Sequence, residues 1–163
     1  MATPTSLPAS FVTGNVLTAA QMNDLRGAFR VLRVVYASYD TFTASSSTTY
    51  ADSGLSATIT PTSSSSKILC FLSTPVRKSN GNSQNEINIR LVRGSTTIAS
   101  VTGQLYTNSA LELRAGVSLS YLDSPATTSA TTYKMTFANG TAAAEVAVQA
   151  YGVSTLTLME ISA

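Results

Sequence analysis

The chain has 163 residues and a mass of 17.0 kDa, room for one domain with its own core or for one domain plus an arm. Serine and threonine contribute 24 residues each, whereas Asp, Glu, Lys and Arg together make only 11%, less than half the ~25% of an average soluble domain. With no His, no Trp and one Cys, histidine-dependent nucleophile triads, His-ligated metals and multi-cysteine zinc sites are excluded, and neither metal nor cofactor is expected.

A mean hydropathy of +0.16 and a hydrophobic content of 44% lie outside the composition of disorder. A net charge of only +2 offers little electrostatic resistance to self-association, which points to a stable oligomer or a lattice component. That charge is local: Arg26, Arg30 and Arg33 against Asp24 give +2, and the other seven basic and seven acidic residues cancel. There is no broad basic face with interleaved aromatics, so nucleic acid is not an expected partner. Neither a secretory signal nor an apolar span is read, so no membrane association is expected. The lone Cys70 has no intrachain partner, which fits synthesis in a reducing cytoplasm.

In chain order, residues 1 to about 16 hold Pro4, Pro8, Gly14 and scattered anchors Leu7, Phe11, Val12 and Val16, the composition of an extended arm that needs a surface to lie on. A helix start follows. Thr18 can cap, Gln21 can reach back to it, and Leu17 can pack on Met22 across the first turn, predicting a short helix from about Ala19 to Phe29. Met22, Leu25, Phe29 and Leu32 follow 3–4–3 spacing, either a coiled-coil-like seam or the buried face of an amphipathic helix; two turns do not separate these, and the buried face is favoured.

From Val31 the period becomes two. Leu111, Leu113, Ala115, Val117, Leu119 and Tyr121 alternate with Glu112, Arg114, Gly116, Ser118 and Ser120, the pattern of a half-buried antiparallel strand. Similar alternation runs through Ile87–Leu91 and Tyr133–Phe137, while the near-continuous apolar runs Val31–Tyr36 and Ile68–Leu72 predict central strands covered on both faces. Turn signals stand at Pro61-Thr62-Ser63, Arg93-Gly94-Ser95, Asn139-Gly140 and Tyr151-Gly152, with Asn139-Gly140 read as a tight hairpin. The expected fold is all-β, an antiparallel jelly-roll-like β-sandwich of about 8–10 strands preceded by the arm and the one short helix. Residues 1–30 would form an attachment segment and residues 31–163 the sandwich domain.

Candidate chemistry is sparse. No two of the eight carboxylates stand in a spacing or apolar setting suited to glycoside hydrolysis. Asp123-Ser124-Pro125 reads as a turn, Glu112 and Arg114 as an exposed pair, and Cys70 within Ile68–Leu72 as a buried inert thiol. Arg77, Lys78, Arg90 and Arg93 read as a solvated face or as a contact for an acidic neighbour or an anionic glycan.

The segment SFVTGNVLTAAQMN (Ser10 to Asn23) resembles the N-terminal signature of small tailed-bacteriophage virion proteins. ITPTSSSSKIL (Ile59 to Leu69), IRLVRGSTTIA (Ile89 to Ala99), YLDSPATTSATTYK (Tyr121 to Lys134) and TLTLMEI (Thr155 to Ile161) resemble the β-sandwich domains of phage head-decoration, head-fibre, minor-tail and tail-fibre proteins. The resemblance implies a virion location, a homotrimer, an N-terminal segment docked on the particle and no catalytic residues.

Together these predict a non-enzymatic virion protein made in the host cytoplasm, a trimeric capsid accessory of the decoration, cement or head-fibre kind. Its attachment residues would be Phe11, Val12, Leu17, Met22, Leu25 and Phe29 as apolar anchors, with Arg26, Arg30 and Arg33 meeting acidic groups of the major capsid protein or of a tail or adaptor protein. Each buried anchor contributes ~1.5–3 kcal/mol, and three-fold avidity multiplies the attachment. The alternative is a tail-fibre or receptor-binding protein reading host-surface glycans through Tyr36, Tyr39, Tyr50, Tyr106 and Tyr133.

Overall fold

The computed structural model describes residues 30–80, 84–141 and 144–162, together with Gly14, Val16, Thr18, Ala19 and Met22. Alternation of period two produces ten strands: β1 (Val31–Tyr39), β2 (Thr43–Ser45), β3 (Ala51–Ile59), β4 (Lys67–Lys78), β5 (Asn85–Arg93), β6 (Thr96–Thr107), β7 (Leu113–Asp123), β8 (Thr131–Asn139), β9 (Val146–Val148) and β10 (Ser154–Ile161). All pairings are antiparallel. Sheet A runs β1-β10-β4-β9-β2 with β7 on the other side of β4, and sheet B runs β3-β8-β5-β6.

The two sheets bury one apolar layer between them. Ile68, Cys70, Leu72 and Val76 of β4, with Val117 and Leu119 of β7 and Leu156 and Leu158 of β10, meet Leu55, Ile59, Ile87, Ile89, Leu91, Tyr133, Met135 and Phe137 of sheet B. Removing each such side chain from water contributes ~1.5–3 kcal/mol, which is what offsets the ordering of the chain.

Local chemistry sets the corners. Gly94 has φ +58 and is the first of two residues between β5 and β6, whose ladder closes on Arg93↔Thr96; that positive φ is what a type II′ hairpin requires there. Pro75 lies inside β4 and has no N–H for the ladder. It is tolerated because the facing strand is interrupted: β10 pairs β4 up to Ser73 and β9 resumes at Val76, with residues 149–153 bulging out between. Ser154 Oγ closes the gap by donating to Thr74 Oγ1 at 2.7 Å and accepting from Gln149 Nε2 at 3.0 Å. Gly54, at φ +84 in the irregular middle of β3, lets the Tyr39 ring lie against the backbone; a Cβ there would stand 2.4 Å from that ring.

Three expectations are corrected. The helix over residues 19–29 is not an element of the described structure: of its residues only Ala19 and Met22 are described, both with helical backbone, and the Met22 N–H donates to the Thr18 carbonyl at 3.0 Å. The remainder of that helix, and the arm apart from Gly14 and Val16, lies outside the described residues. The runs Val31–Tyr36 and Ile68–Leu72 are not covered on both faces. β1 is an edge strand, and Val34, Tyr36 and Phe71 are exposed, because among the described residues sheet A has a second layer on its inner side alone. Asn139-Gly140 is not a hairpin, since β8 and β9 belong to different sheets. Asn139 is buried at the crossing, where its side-chain amide donates to the Ala144 carbonyl and its Oδ1 accepts from the Thr141 N–H at 3.1 Å.

Candidate functional surface

The outer face of sheet A is built by register. Val34 pairs with Met159, Met159 with Leu69, and Leu69 with Leu122, so four apolar side chains cross the whole sheet in one row. The next outward row is Tyr36, Thr157, Phe71 and Ser120, and the one after it Ser38, Thr155, Ser73 and Ser118. None of these twelve positions carries a charge. Val34 and Leu122 are each 55% exposed, Tyr36 62% and Phe71 43%, in a class of side chain that folding normally removes from water. Phe71, Ser73, Ser118, Ser120, Thr155 and Thr157 line a shallow open concavity in this face.

Charge appears only beyond these rows. Arg77 pairs with Glu145 and lies 5.1 Å over the Phe42 ring, and Arg114 pairs with Glu112 while stacking 3.7 Å over Tyr151. At the opposite end Lys67 Nζ donates to Ser124 Oγ at 2.8 Å.

Between the sheets sits a polar latch. Arg93 Nη1 donates to both Asp123 oxygens at 2.8 and 2.7 Å, and the buried Tyr133 hydroxyl donates to Asp123 Oδ2 at 2.7 Å. Burial, and then the hydrogen bond to Asp123, raise the Tyr133 hydroxyl above its ordinary value. Burial, with Asp123 nearby, pushes the Cys70 thiol up to about 12, so it is held as an inert thiol. Asp123 is therefore a bridge from β7 to β5 and β8 rather than a turn former, a role its Ser-Pro context does not signal. Among the described residues no three His, Cys, Asp or Glu side chains gather where they could hold a metal ion.

Of the expected attachment residues, Phe11, Val12, Leu17, Leu25, Arg26 and Phe29 lie outside the described residues. Met22 is exposed. Arg30 and Arg33 belong to the sandwich: the Arg30 N–H donates to Ser162 Oγ at 2.9 Å and its carbonyl accepts from the Ser162 N–H, while Arg33 Nη1 donates to the Thr60 carbonyl at 2.9 Å.

The basic set does not gather. Arg77 pairs on the outer side of sheet A, Lys78 is buried and donates to the Ser109 and Leu111 carbonyls, Arg90 lies 3.5 Å over the Tyr50 ring, and Arg93 holds Asp123. The tyrosines do not gather either. Tyr133 is buried, Tyr50 lies under Arg90 and Tyr39 against Gly54, leaving Tyr36 exposed on sheet A and Tyr106 on sheet B. Of the surface that does assemble, Val34, Leu69 and Phe71 lie in the apolar runs that were expected to be covered, whereas Leu122 and Met159 belong to neither run.

No family model and no curated protein matches this chain. Among solved structures it is similar to the infectious bursal disease virus VP2 subviral particle, with 13% identity and a TM-score of 0.39 over 80% of this chain and 40% of that one. It is also similar to infectious bursal disease virus of the Gx strain (15%, TM-score 0.38, 80% and 37%) and of the Gt strain (14%, TM-score 0.40, 96% and 42%). The chain spans about two fifths of the length of these structures. Likeness at this level carries no weight beside the strand order itself.

Proposed function

We propose that this chain is a non-enzymatic phage virion protein: a jelly-roll subunit, homotrimeric, that docks on the capsid as a decoration, cement or head-fibre component. The observation that carries the reading is the strand order. Counting β1 with β2 and β9 with β10 as single interrupted strands gives eight, ordered 1-8-3-6 in sheet A and 2-7-4-5 in sheet B. This is the double Greek key of the jelly roll, an architecture of viral capsid and lectin domains. One fold hosts many functions. The resemblance of Ser10–Asn23 and of four β segments to tailed-phage virion proteins narrows it; among the described residues the tyrosines do not gather, and the two carboxylates that meet, Glu112 and Glu145, are both engaged by Arg77, which favours structure over chemistry or sugar reading.

In this reading the sandwich begins at Arg30 and the preceding residues make the attachment, with Phe11, Val12, Leu17, Met22, Leu25 and Phe29 as anchors and Arg26 as the charged contact. Purified full-length chain should co-sediment with particles that lack it, at hundreds of copies per particle. A chain lacking residues 1–29 should stay folded and fail to bind. Undiminished binding by that truncation overturns the attachment reading; adsorption to host cells with a handful of copies per particle returns the protein to the tail-fibre, receptor-binding class.

A further inference from the structure

We infer that the outer face of sheet A is an interface between copies of this chain. The inference rests on the preceding reading only in supposing that copies associate; a face that covers itself pairs two copies about a two-fold axis, and in a homotrimer three such faces would instead meet around the three-fold axis, each covering part of the next.

Three observations carry it. The first is anatomy. An apolar row, Val34–Met159–Leu69–Leu122, is followed by the aromatics Tyr36 and Phe71 and bordered by Ser and Thr. An apolar, aromatic and Met-bearing centre without charge inside a polar rim is the composition of a protein–protein interface.

The second is extent. Four strands across and the length from Val34 to Ser38 along the chain give roughly 19 by 17 Å, about 300 Å² from strand spacing and rise. A patch of a few hundred Å² is about the largest that a monomer ordinarily exposes, and such a patch is often functional. It supplies the centre of a standard interface of about 800 Å² per partner.

The third is self-complementarity. The rim charges Arg77 and Arg114 already have carboxylate partners within the chain and Lys67 donates to Ser124 Oγ, so the centre of the face offers nothing to a charged protein. Its match must be uncharged and apolar. Of the exposed large apolar side chains among the described residues, Val31, Val34, Tyr36, Phe71 and Leu122 lie together on this one face. The surface best suited to cover it is the same surface of another copy, which also brings no like charges together.

The test uses the full-length chain in analytical ultracentrifugation at tens of micromolar. The wild type should sediment as an oligomer and the double variant Val34→Lys, Leu122→Lys at the 17.0 kDa of one chain, with its thermal midpoint unchanged within a few degrees. A control lysine on the outer face of sheet B, Thr58→Lys, should leave the oligomer intact. An oligomer that survives the double variant overturns the inference, as does a wild type that is a single chain. Dissociation by Met22→Lys, Leu25→Lys but not by the double variant assigns the association to the N-terminal segment and overturns it too. Co-sedimentation of the double variant with particles reads the attachment separately, so loss of one property without the other tells the two readings apart.

Discussion

On the outer face of sheet B, Asp52 meets Lys134 at 2.8 Å and Arg90 lies 3.5 Å over the Tyr50 ring; at the corresponding centre of sheet A stand Leu69, Phe71 and Met159. Both faces come from the same backbone alternation. On sheet B the outward aliphatic side chains Val92 and Ala138 are buried within the chain and Tyr106 stands exposed at one end, whereas on sheet A their counterparts Val34 and Leu122 are open to water. The contrast teaches that one side of this sandwich is finished by the chain itself and the other is finished, in our reading, by a neighbour.

The largest effect is expected where both sheets depend on one group. Asp123→Ala would leave the buried Tyr133 hydroxyl and Arg93 without their acceptor. It should cost about 3–5 kcal/mol, or about 10 °C in thermal midpoint, in a calorimetric melt; a loss under about 1 kcal/mol would mean that apolar packing alone joins the sheets.

Next comes a direct comparison of the faces. Ala138→Lys on sheet B forces a long side chain into a site that is 1% exposed and should cost about 1–3 kcal/mol. Leu122→Lys on sheet A should change the stability of the single chain by no more than about 0.5 kcal/mol. Equal costs in urea titrations would break the contrast.

Acid should act at one corner of sheet A. Burial pushes the Glu160 carboxyl up, but the Thr62 hydroxyl and N–H, donating at 2.7 and 2.6 Å, with Ser66 and Arg33, outweigh it and hold it below its ordinary 4.5. A carboxyl lowered in the folded state contributes stability that is complete above that ordinary value and is lost as pH falls through the lowered one. Glu160→Gln should therefore flatten the decline of thermal midpoint below pH 4.5; an unchanged acid branch would place that decline elsewhere.

The smallest effect belongs to the exposed pair on sheet B. Lys134→Met should shift stability by no more than about 0.5 kcal/mol, because an ion pair open to water gains little. A larger loss would show that sheet B's finish depends on charge rather than on Arg90, Tyr50 and buried Ala138.

Much of the sandwich was legible in the residues. Alternation in Leu111–Tyr121, Ile87–Leu91 and Tyr133–Phe137 predicts strands that are present, the first of them beginning at Leu113 rather than Leu111, and Gly94 marks a turn that forms. Pro61-Thr62 marks a corner tied down by Glu160, a partner 98 residues away that no local pattern names. Asp123 read as a turn for the same reason: its partners Arg93 and Tyr133 reach it from the other sheet. The candidate surface was half legible, since runs such as Ile68–Leu72 announce two apolar sides but not what lies on each.

The sequence by itself determined that this is a charge-poor all-β chain without histidine, and which residues of each strand share a side. That much is local, because a strand places alternate residues on opposite sides whatever surrounds it. Only the tertiary structure decided the order 1-8-3-6 and 2-7-4-5, the latch at Asp123, and that the described residues leave one apolar side of sheet A uncovered. Whether a side is buried depends on the layer laid over it, and among the described residues the second layer covers sheet A from within alone.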